Sequence, residues 1–440
     1  MRALAALLAC ACAAACASAR PAPVTPAPAL CEVLLLLGAA EPFALAADPA
    51  GGVAVAGKFS GTVRAGGFAV SAAGGADAFV LRTNADGSVR WLHRLGGTGD
   101  DAASAVAIAP DGDVIAAGVV EERCFAARLS AGDGHEVWAS RLEGAGESSC
   151  RALALDARGD AWAAGSFSGA LKTAASNGQS DLLVVKFAGR TGEAALVRAI
   201  GGKGRELGRA VLVLPSGSVL VAGQFGGDID VSEAAVDFGQ GPVASAGGYD
   251  GFLLQLAPDG RTQWVTTSGD NGDDGLGALA TGPDGAIFAS GHHQPAGSGQ
   301  GLDRRGEGNS TGIVLRTSRE GRGEWVRIFE GPSSAANHLA FDDHGRLWTA
   351  GASKGIRLGA ASIEAAGGLD GFALAFDPAT GEPLGSRRWG TPAQDLIRGL
   401  ARIPGGLALT GLTGGELIEC GKPVGSLGEQ TAFVLWLRDL

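Results

Sequence analysis

The sequence has few charged residues and no cluster of basic ones. Lys, Arg, Asp and Glu together make up 18% of the 440 residues, and the formal net charge is −11. Because a nucleic-acid partner requires a positively charged surface, this composition argues against that class of partner. Aromatic residues are also scarce, at 6%, whereas glycine occupies 74 positions. This balance predicts a chain with many tight turns.

The local motifs of common catalytic and metal sites are missing. There is no HExxH, no CxxC with zinc spacing and no GxSxG. The stretch PAGGVAVAGKFSG at residues 49–61 has the glycine and lysine spacing of a phosphate-binding loop, but Phe59 stands where such a loop needs Ser or Thr. His292 and His293 are adjacent at a strand end, so their side chains point to opposite faces and do not easily share a metal. We expect no catalytic motif, no metal and no cofactor.

The N-terminal apolar run is too short to cross a bilayer. It has about 14 apolar residues, whereas a membrane span needs about 20. Its sequence, MRALAALLACACAAAC, is typical of an export signal. The segment AAAC resembles the lipobox of bacterial lipoproteins, which predicts a signal peptide of residues 1–15 and lipidation of Cys16. An ordinary signal peptide cut near Ala19 is the alternative. Residues 16–30 are interpreted as a Pro- and Ala-rich tether.

A short apolar segment ending in a small residue and glycine occurs seven times. An alternating apolar run and a turn precede each copy, and a third apolar run follows it. Most copies are followed by a fourth run, often with Trp. Four short antiparallel strands per unit, at a period of about 59 residues, predict propeller blades. The marker glycines of units one to seven are Gly57, Gly118, Gly165, Gly223, Gly291, Gly351 and Gly411.

The repeats predict one all-β domain over residues 31–440. In the third strand of unit one, Phe79 and Leu81 lie on one face and Val80 on the other, as packing between blades requires. Unit seven ends after its third strand, and residues 31–42 match the fourth strand of the other units. We therefore predict a seven-bladed β-propeller of four-stranded antiparallel blades, in which this N-terminal strand completes the last blade and closes the ring.

The repeat resembles a known family. Over residues 32–440 the pattern AGxFxG, GGxDxF, GGxGxD is similar to that of the SBBP-repeat proteins of bacterial cell surfaces. Unit one carries it as AGKFSG, GGADAF and GGTGDD, whereas units two and seven lack the Asp before the third strand. The resemblance implies a secreted or surface-attached propeller. It implies no catalytic residues for this chain.

Four cysteines follow Cys16 in the sequence: Cys31, Cys124, Cys150 and Cys420. In an oxidising compartment, an even number of thiols favours disulfides, and three pairings are possible. Cys124 and Cys150 start strands at the same rim, which favours a bond between them. Cys31 and Cys420 both belong to the closing blade and form the second candidate pair. Isolated thiols are the alternative.

Acidic residues recur at two points of the repeat. One set precedes the next unit's first strand, and the other precedes the third strand within a unit. A ring of carboxylates that binds cations is one interpretation, and capping of backbone amides in turns is the favoured one. The first set is Asp101, Glu206, Asp274 and Asp395, and the second is Asp77, Asp181, Asp250 and Asp370.

The connection between the second and third strands varies most among the units. It is almost absent in unit two, long and acidic in unit four, and polar in unit five. All these connections emerge at one rim, where repeat proteins tend to bind their partners, although neutral variation of surface loops explains the pattern equally well. The candidate binding residues are Asp228, Asp230, Glu233, Asp237, His293, Arg304 and Arg305.

Together these features predict an exported, non-enzymatic lipoprotein of the outer membrane or cell surface, with a periplasmic or secreted protein as the alternative. Its expected partners are proteins or polysaccharides of the envelope or the extracellular space. We expect a monomer that meets the membrane only through its lipid. A glycan-acting hydrolase or lyase is the second hypothesis, favoured if carboxylates or a His–carboxylate pair converge at the channel mouth. A periplasmic assembly scaffold is the third.

Overall fold

The computed structural model describes residues 31–227, 229–230, 233–294, 310–419, 421–425 and 430–438. Every named element in these ranges is a β-strand, and the strands pair into five four-stranded antiparallel sheets, one seven-stranded sheet and three short two-stranded hairpins. The predicted all-β class and the four-stranded units are therefore confirmed. In the described ranges, no helix has both the length and the apolar character of a membrane span. The signal peptide and tether lie outside the described residues.

The first three units follow one another along the chain. The N-terminal strand is Cys31–Ala47 (β1), and unit one continues with Val53–Ala65 (β2), Phe68–Thr83 (β3) and Val89–Leu95 (β4). Unit two consists of Ala102–Ile108 (β5), Val114–Val120 (β6), Arg123–Leu129 (β7) and Glu136–Arg141 (β8). Unit three consists of Ser148–Leu155 (β9), Ala161–Phe167 (β10), Asp181–Phe187 (β11) and Ala194–Ile200 (β12).

Units four and five contain the next strands. Unit four has Leu207–Val213 (β13), Val219–Gly226 (β14), the short strands Val236–Asp237 (β15) and Pro242–Val243 (β16), then Tyr249–Leu256 (β17) and Thr262–Ser268 (β18). Unit five has Gly275–Thr281 (β19), Ile287–His293 (β20), Thr311–Thr317 (β21) and Gly323–Ile328 (β22).

The last two units also carry short extra strands. Unit six has Ser334–Phe341 (β23), Leu347–Ser353 (β24), the short strands Ile356–Leu358 (β25) and Ala361–Ile363 (β26), then Asp370–Phe376 (β27) and Pro383–Trp389 (β28). Unit seven has Asp395–Ile403 (β29), Gly406–Thr413 (β30), the short strands Leu417–Glu419 (β31) and Lys422–Val424 (β32), then Thr431–Arg438 (β33).

The N-terminal strand β1 belongs to two units. Cys31–Leu36 pairs with β33, and the strand pairs with β2 at Leu37 and from Ala39 to Ala47. The change of partner is followed by an irregularity at Gly38, whose φ is +114° and whose position leaves no room for a Cβ against the Thr62 carbonyl. The pairing with β33 is therefore shorter than the predicted 31–42. Units seven and one consequently form one continuous sheet.

Consecutive units share hydrophobic cores. Seven buried clusters link neighbouring units. Six of them combine residues of two units that are consecutive in sequence, and the seventh combines mainly residues of units seven and one. Phe79 and Leu81 pack towards unit seven, whereas Val80 packs towards unit two. The predicted two-faced pattern of the third strand is thus confirmed. Burial of both faces makes each sheet dependent on its neighbours.

Tryptophans on fourth strands also contact the following unit. Trp91 of β4 lies on Gly134 in the turn of unit two, and its indole N–H donates to the Ala131 carbonyl at 3.3 Å. Trp138 of β8 repeats the arrangement in unit three, with its indole N–H 3.0 Å from the Gly189 carbonyl. A Cβ at Gly134 would meet the indole at 2.6 Å, so only glycine fits beneath it. These contacts between units therefore explain why Trp recurs in the fourth strands.

Candidate functional site

One rim of the molecule carries the variable connections. Since the strands of each unit alternate in direction, the second-to-third connection and the fourth-to-first connection lie at the same rim, here called the hairpin rim. Short hairpins project there in four units: the paired ends of β2 and β3, β15–β16, β25–β26 and β31–β32. Unit two has only Glu121 and Glu122 at this point, with φ of 51° and 62°.

The candidate binding residues of unit four are engaged in local structure. Asp237 accepts hydrogen bonds from the amides of Gly239 at 2.7 Å and Gly241 at 3.0 Å, which lower its pKa. Glu233 pairs with Lys203 at 2.9 Å, and the Asp230 carbonyl accepts from the Glu233 amide at 2.8 Å. Their described contacts do not bring them to His293. Asp228, Arg304 and Arg305 lie outside the described residues.

The recurring carboxylates are buried at the hairpin rim. All eight are at most 4% exposed, and each accepts a hydrogen bond from the backbone amide four residues earlier, at 2.6 to 3.1 Å. These bonds close the tight turns that lead into the third strand and into the next unit. The interpretation of these residues as turn caps is therefore confirmed.

At three junctions, a carboxylate of one set is buried close enough to a carboxylate of the other set for their charges to interact. Burial raises the pKa of Glu206 to about 7, and the charge of Asp181 adds to the rise. Burial and the charges of Asp274 and Asp270 raise the pKa of Asp250. Burial and the charge of Asp395 raise the pKa of Asp370. Glu206 Oε1 is buried without a hydrogen-bond partner among the described residues. These junctions are therefore electrostatically strained at neutral pH.

The junction between units four and five differs from the others. His293, at the end of β20, hydrogen-bonds through Nδ1 to Asp274 Oδ1 at 2.6 Å, and its Nε2 lies 4.0 Å from Asp270 Oδ2. These three side chains can each direct one ligand atom to a common point, with the atoms within 4.8 Å of one another. Sequence reasoning missed this cluster because it compared His293 only with its neighbour His292.

Cys124 and Cys150 form a disulfide that joins units two and three, with their Cα atoms 5.0 Å apart. Both residues are fully buried. The Cys124 amide also donates to Ser148 Oγ at 2.9 Å, so this side of unit two is fixed to the start of β9. Cys31 lies in β1, where its strand is described and its side chain is not. Cys16 and Cys420 lie outside the described residues.

The first strands of successive units contact one another. Each has a β-bulge at the same point, and bulges redirect a side chain. The extra residues are Phe43, Ser104, Arg151, Arg209, Gly277, Asn337 and Arg398. Arg398 pairs with Glu41 at 3.6 Å, and Glu41 with Lys58 at 3.3 Å. The bulge positions therefore carry mainly basic and neutral residues, and the described His–carboxylate pairs, His293–Asp274 and His135–Asp133, lie elsewhere.

No protein-family model and no curated protein matches the chain. Solved structures resemble it at low identity. The WD40 β-propeller domain of Doa1 is 12% identical, with 92% of this chain and 97% of that chain covered and a TM-score of 0.44. The Neurospora crassa Pan2 WD40 domain is 12% identical, with 90% and 89% covered and a TM-score of 0.46.

A third solved structure is longer than this chain. The quinohemoprotein alcohol dehydrogenase of Comamonas testosteroni is 11% identical, with 86% of this chain covered and a TM-score of 0.44. The match spans 65% of that enzyme's length. Scores at this level carry no argument about function, so the fold described here rests on the strand pairing and the cores between units.

Proposed function

We propose that the protein is an exported interaction module, built as a seven-bladed β-propeller, that binds a protein or polysaccharide of the cell envelope. The first strands of the units support the ring. Each first strand contacts the first strand of the next unit: β1 with β5, β5 with β9, β9 with β13, β13 with β19, β19 with β23, β23 with β29, and β29 with β1. The pairing of β1 with β33 supports closure of the last blade by the N-terminal strand.

The observation that carries the binding role is the hairpin rim. The strands and cores repeat from unit to unit, whereas the second-to-third connections range from a two-residue turn in unit two to separate hairpins in units four, six and seven. Variation confined to one rim of a regular scaffold is the pattern by which repeat proteins present binding surfaces. Exposed apolar side chains on two of these hairpins, Phe68 and Ile418, suit contact with a partner.

The export signal and the AAAC segment support attachment through lipid on Cys16. Ala17 and Ser18 follow Cys16, with no Asp next to it, which resembles the sorting signal of Gram-negative outer-membrane lipoproteins. The anchor is tested by mass spectrometry of the mature N-terminal peptide. Acyl chains on Cys16 are the expected result, and a free amine at Ala17 or later contradicts the anchor.

A second candidate function follows from the His293–Asp274 pair, because a histidine held by a carboxylate is a common general base. This pair favours the hypothesis of a glycan-acting hydrolase or lyase. Incubation of the full chain with purified envelope polysaccharide separates the two functions. The binding module retains the polysaccharide and leaves its length unchanged, whereas the enzyme shortens it and loses this activity in His293→Phe. Failure to retain either polysaccharide or envelope protein contradicts the binding role.

A further inference from the structure

The junction between units four and five combines four polar side chains at the hairpin rim. Asp250 precedes the third strand of unit four, Asp270 and Asp274 belong to the connection into unit five, and His293 ends the second strand of unit five. We call these four residues the His293 site. Asp270 and His293 are partly accessible, with 49% and 18% of their side chains exposed, so the site opens to solvent from the rim.

The other acidic junctions provide an internal comparison. The positions equivalent to His293 in units two, four and seven are Val120, Phe225 and Thr413. The positions equivalent to Asp270 at those junctions are Gly97, Gly202 and Thr391. In all of them the backbone amide at the Asp270 position still caps the buried carboxylate. Turn closure therefore explains Asp274 but explains neither Asp270 nor His293. Two departures from the repeat meet in one place, and both introduce metal-ligating side chains.

Among the described residues, Asp250 has a buried carboxylate oxygen without a partner, as do the equivalent Asp77 and Asp370, but only Asp250 has this oxygen next to the pair of His293 and Asp270. Asp250 is 4% exposed, and the oxygen is its Oδ1. A Cβ placed on Gly269 would collide with this oxygen and would lie 3.0 Å from Asp274 Oδ2. The two carboxylates therefore face the same small space. A buried carboxylate oxygen with no donor is costly unless a proton or a cation is present.

We propose that the His293 site binds a divalent transition-metal cation, with Zn²⁺ as the representative ion. His293, Asp270 and Asp274 each present one ligand atom within 4.8 Å of the others, and binding would place each of these atoms about 2 Å from the ion. A nitrogen ligand among carboxylates suits Zn²⁺ or Mn²⁺, whereas Ca²⁺ and Mg²⁺ prefer oxygen ligands alone. Asp250 adds a third carboxylate beside the two of Asp270 and Asp274, and these negative charges favour a divalent cation.

The proposal is tested by titrating Zn²⁺ into the chelator-treated full chain, followed by isothermal titration calorimetry. His293→Phe and Asp270→Gly are the test variants, because Phe225 and Gly202 show that the fold accommodates these residues at equivalent positions. His135→Phe is the matched control, since His135 pairs with Asp133 at 2.7 Å but belongs to no group of three ligating side chains among the described residues. Circular dichroism and the melting temperature verify the fold of every variant.

The expected result is one Zn²⁺ per chain, affinity lower by about ten-fold or more in both test variants, and no change in the control. Mg²⁺ and Ca²⁺ should not compete at equal concentration. Asp250→Asn should weaken Zn²⁺ binding while the chain stays folded. Absence of stoichiometric binding, or binding that His293→Phe and Asp270→Gly leave unchanged, overturns the proposal. Equal loss in His135→Phe overturns it as well, because the affinity then arises elsewhere on the surface.

Discussion

Units two and four have the same four strands and opposite connections at the hairpin rim. Unit two turns through Glu121 and Glu122 and is bonded to unit three by the Cys124–Cys150 disulfide. Unit four extends from Gly226 to Tyr249 before its third strand begins, and it carries the extra hairpin β15–β16. Both connections leave the four strands unchanged, but the unit-four connection also adds the buried Val236 and Phe238 to the core shared with unit three, so only the exposed residues of the rim are free to vary for binding.

The largest effect should follow from breaking the scaffold at its ends. Deletion of residues 31–36 removes the strand that pairs with β33 and exposes an apolar edge. We expect aggregation, or a loss of several kcal/mol from a total of roughly 5–15 kcal/mol. Light scattering and thermal unfolding measure both effects. A monomeric variant with an unchanged melting temperature would show that the pairing of β1 with β33 contributes little.

The disulfide of unit two should have the next largest effect. The double variant Cys124→Ser/Cys150→Ser opens a loop with a sequence separation of 26. The chain-entropy model gives a loss of about 3–4 kcal/mol for a loop of this size. Urea unfolding with and without reductant measures it, and non-reducing peptide mapping should recover the crosslink. Free thiols at both positions in the protein purified under non-reducing conditions would refute the bond.

Strain at the hairpin rim should appear as a pH dependence of stability. Glu206 has a pKa of about 7 in the folded chain and 4.5 as its ordinary value. Between these values the folded state binds more protons than the unfolded state, so the free energy of unfolding falls as pH rises. Glu206→Gln should therefore be more stable than the wild type by about 3 kcal/mol near pH 8, with the difference disappearing below about pH 4.5.

The test for Glu206 is urea unfolding of both proteins near pH 8 and near pH 4. Glu193→Gln serves as the control, because Glu193 is exposed in the turn that precedes β12. A gain for Glu206→Gln that is the same at both pH values would show that repulsion is not its cause.

His338 should produce a smaller dependence of opposite sign. Burial, with a contribution from Arg398, lowers the pKa of His338 to about 4 from 6.5. Below pH 6.5 the unfolded state binds the extra proton, so stability is lost as pH falls. The free energy of unfolding of His338→Gln relative to that of the wild type should be higher by about 2 kcal/mol at about pH 5 than at neutral pH. A constant difference across this range would contradict the lowered pKa.

The repeat made the strands predictable, because each carries a periodic apolar pattern and each turn carries a recurring glycine. The faces of Phe79 and Val80 and the capping role of the acidic residues followed from the same periodicity. The irregularity at Gly38 that follows the change of partner did not, since it depends on the contact with Thr62. The contact of His293 with Asp270 and Asp274 also joins separate stretches of chain. The sequence signal for this contact was that both His293 and Asp270 differ in type from the residues at the equivalent positions of the other units.

The most direct test of the account replaces two exposed hairpin side chains in the double variant Phe68→Ser/Ile418→Ser, because the hairpins of units four, six and seven also supply buried core residues and cannot be removed without loss of stability. Binding of the wild type and of this variant to isolated cell envelopes is then compared quantitatively. The account predicts saturable binding of the wild type, loss of at least about ten-fold in affinity for the variant, and a melting temperature close to that of the wild type. Equal binding by the two proteins, or no saturable binding by the wild type, would contradict the assignment of function to the hairpin rim.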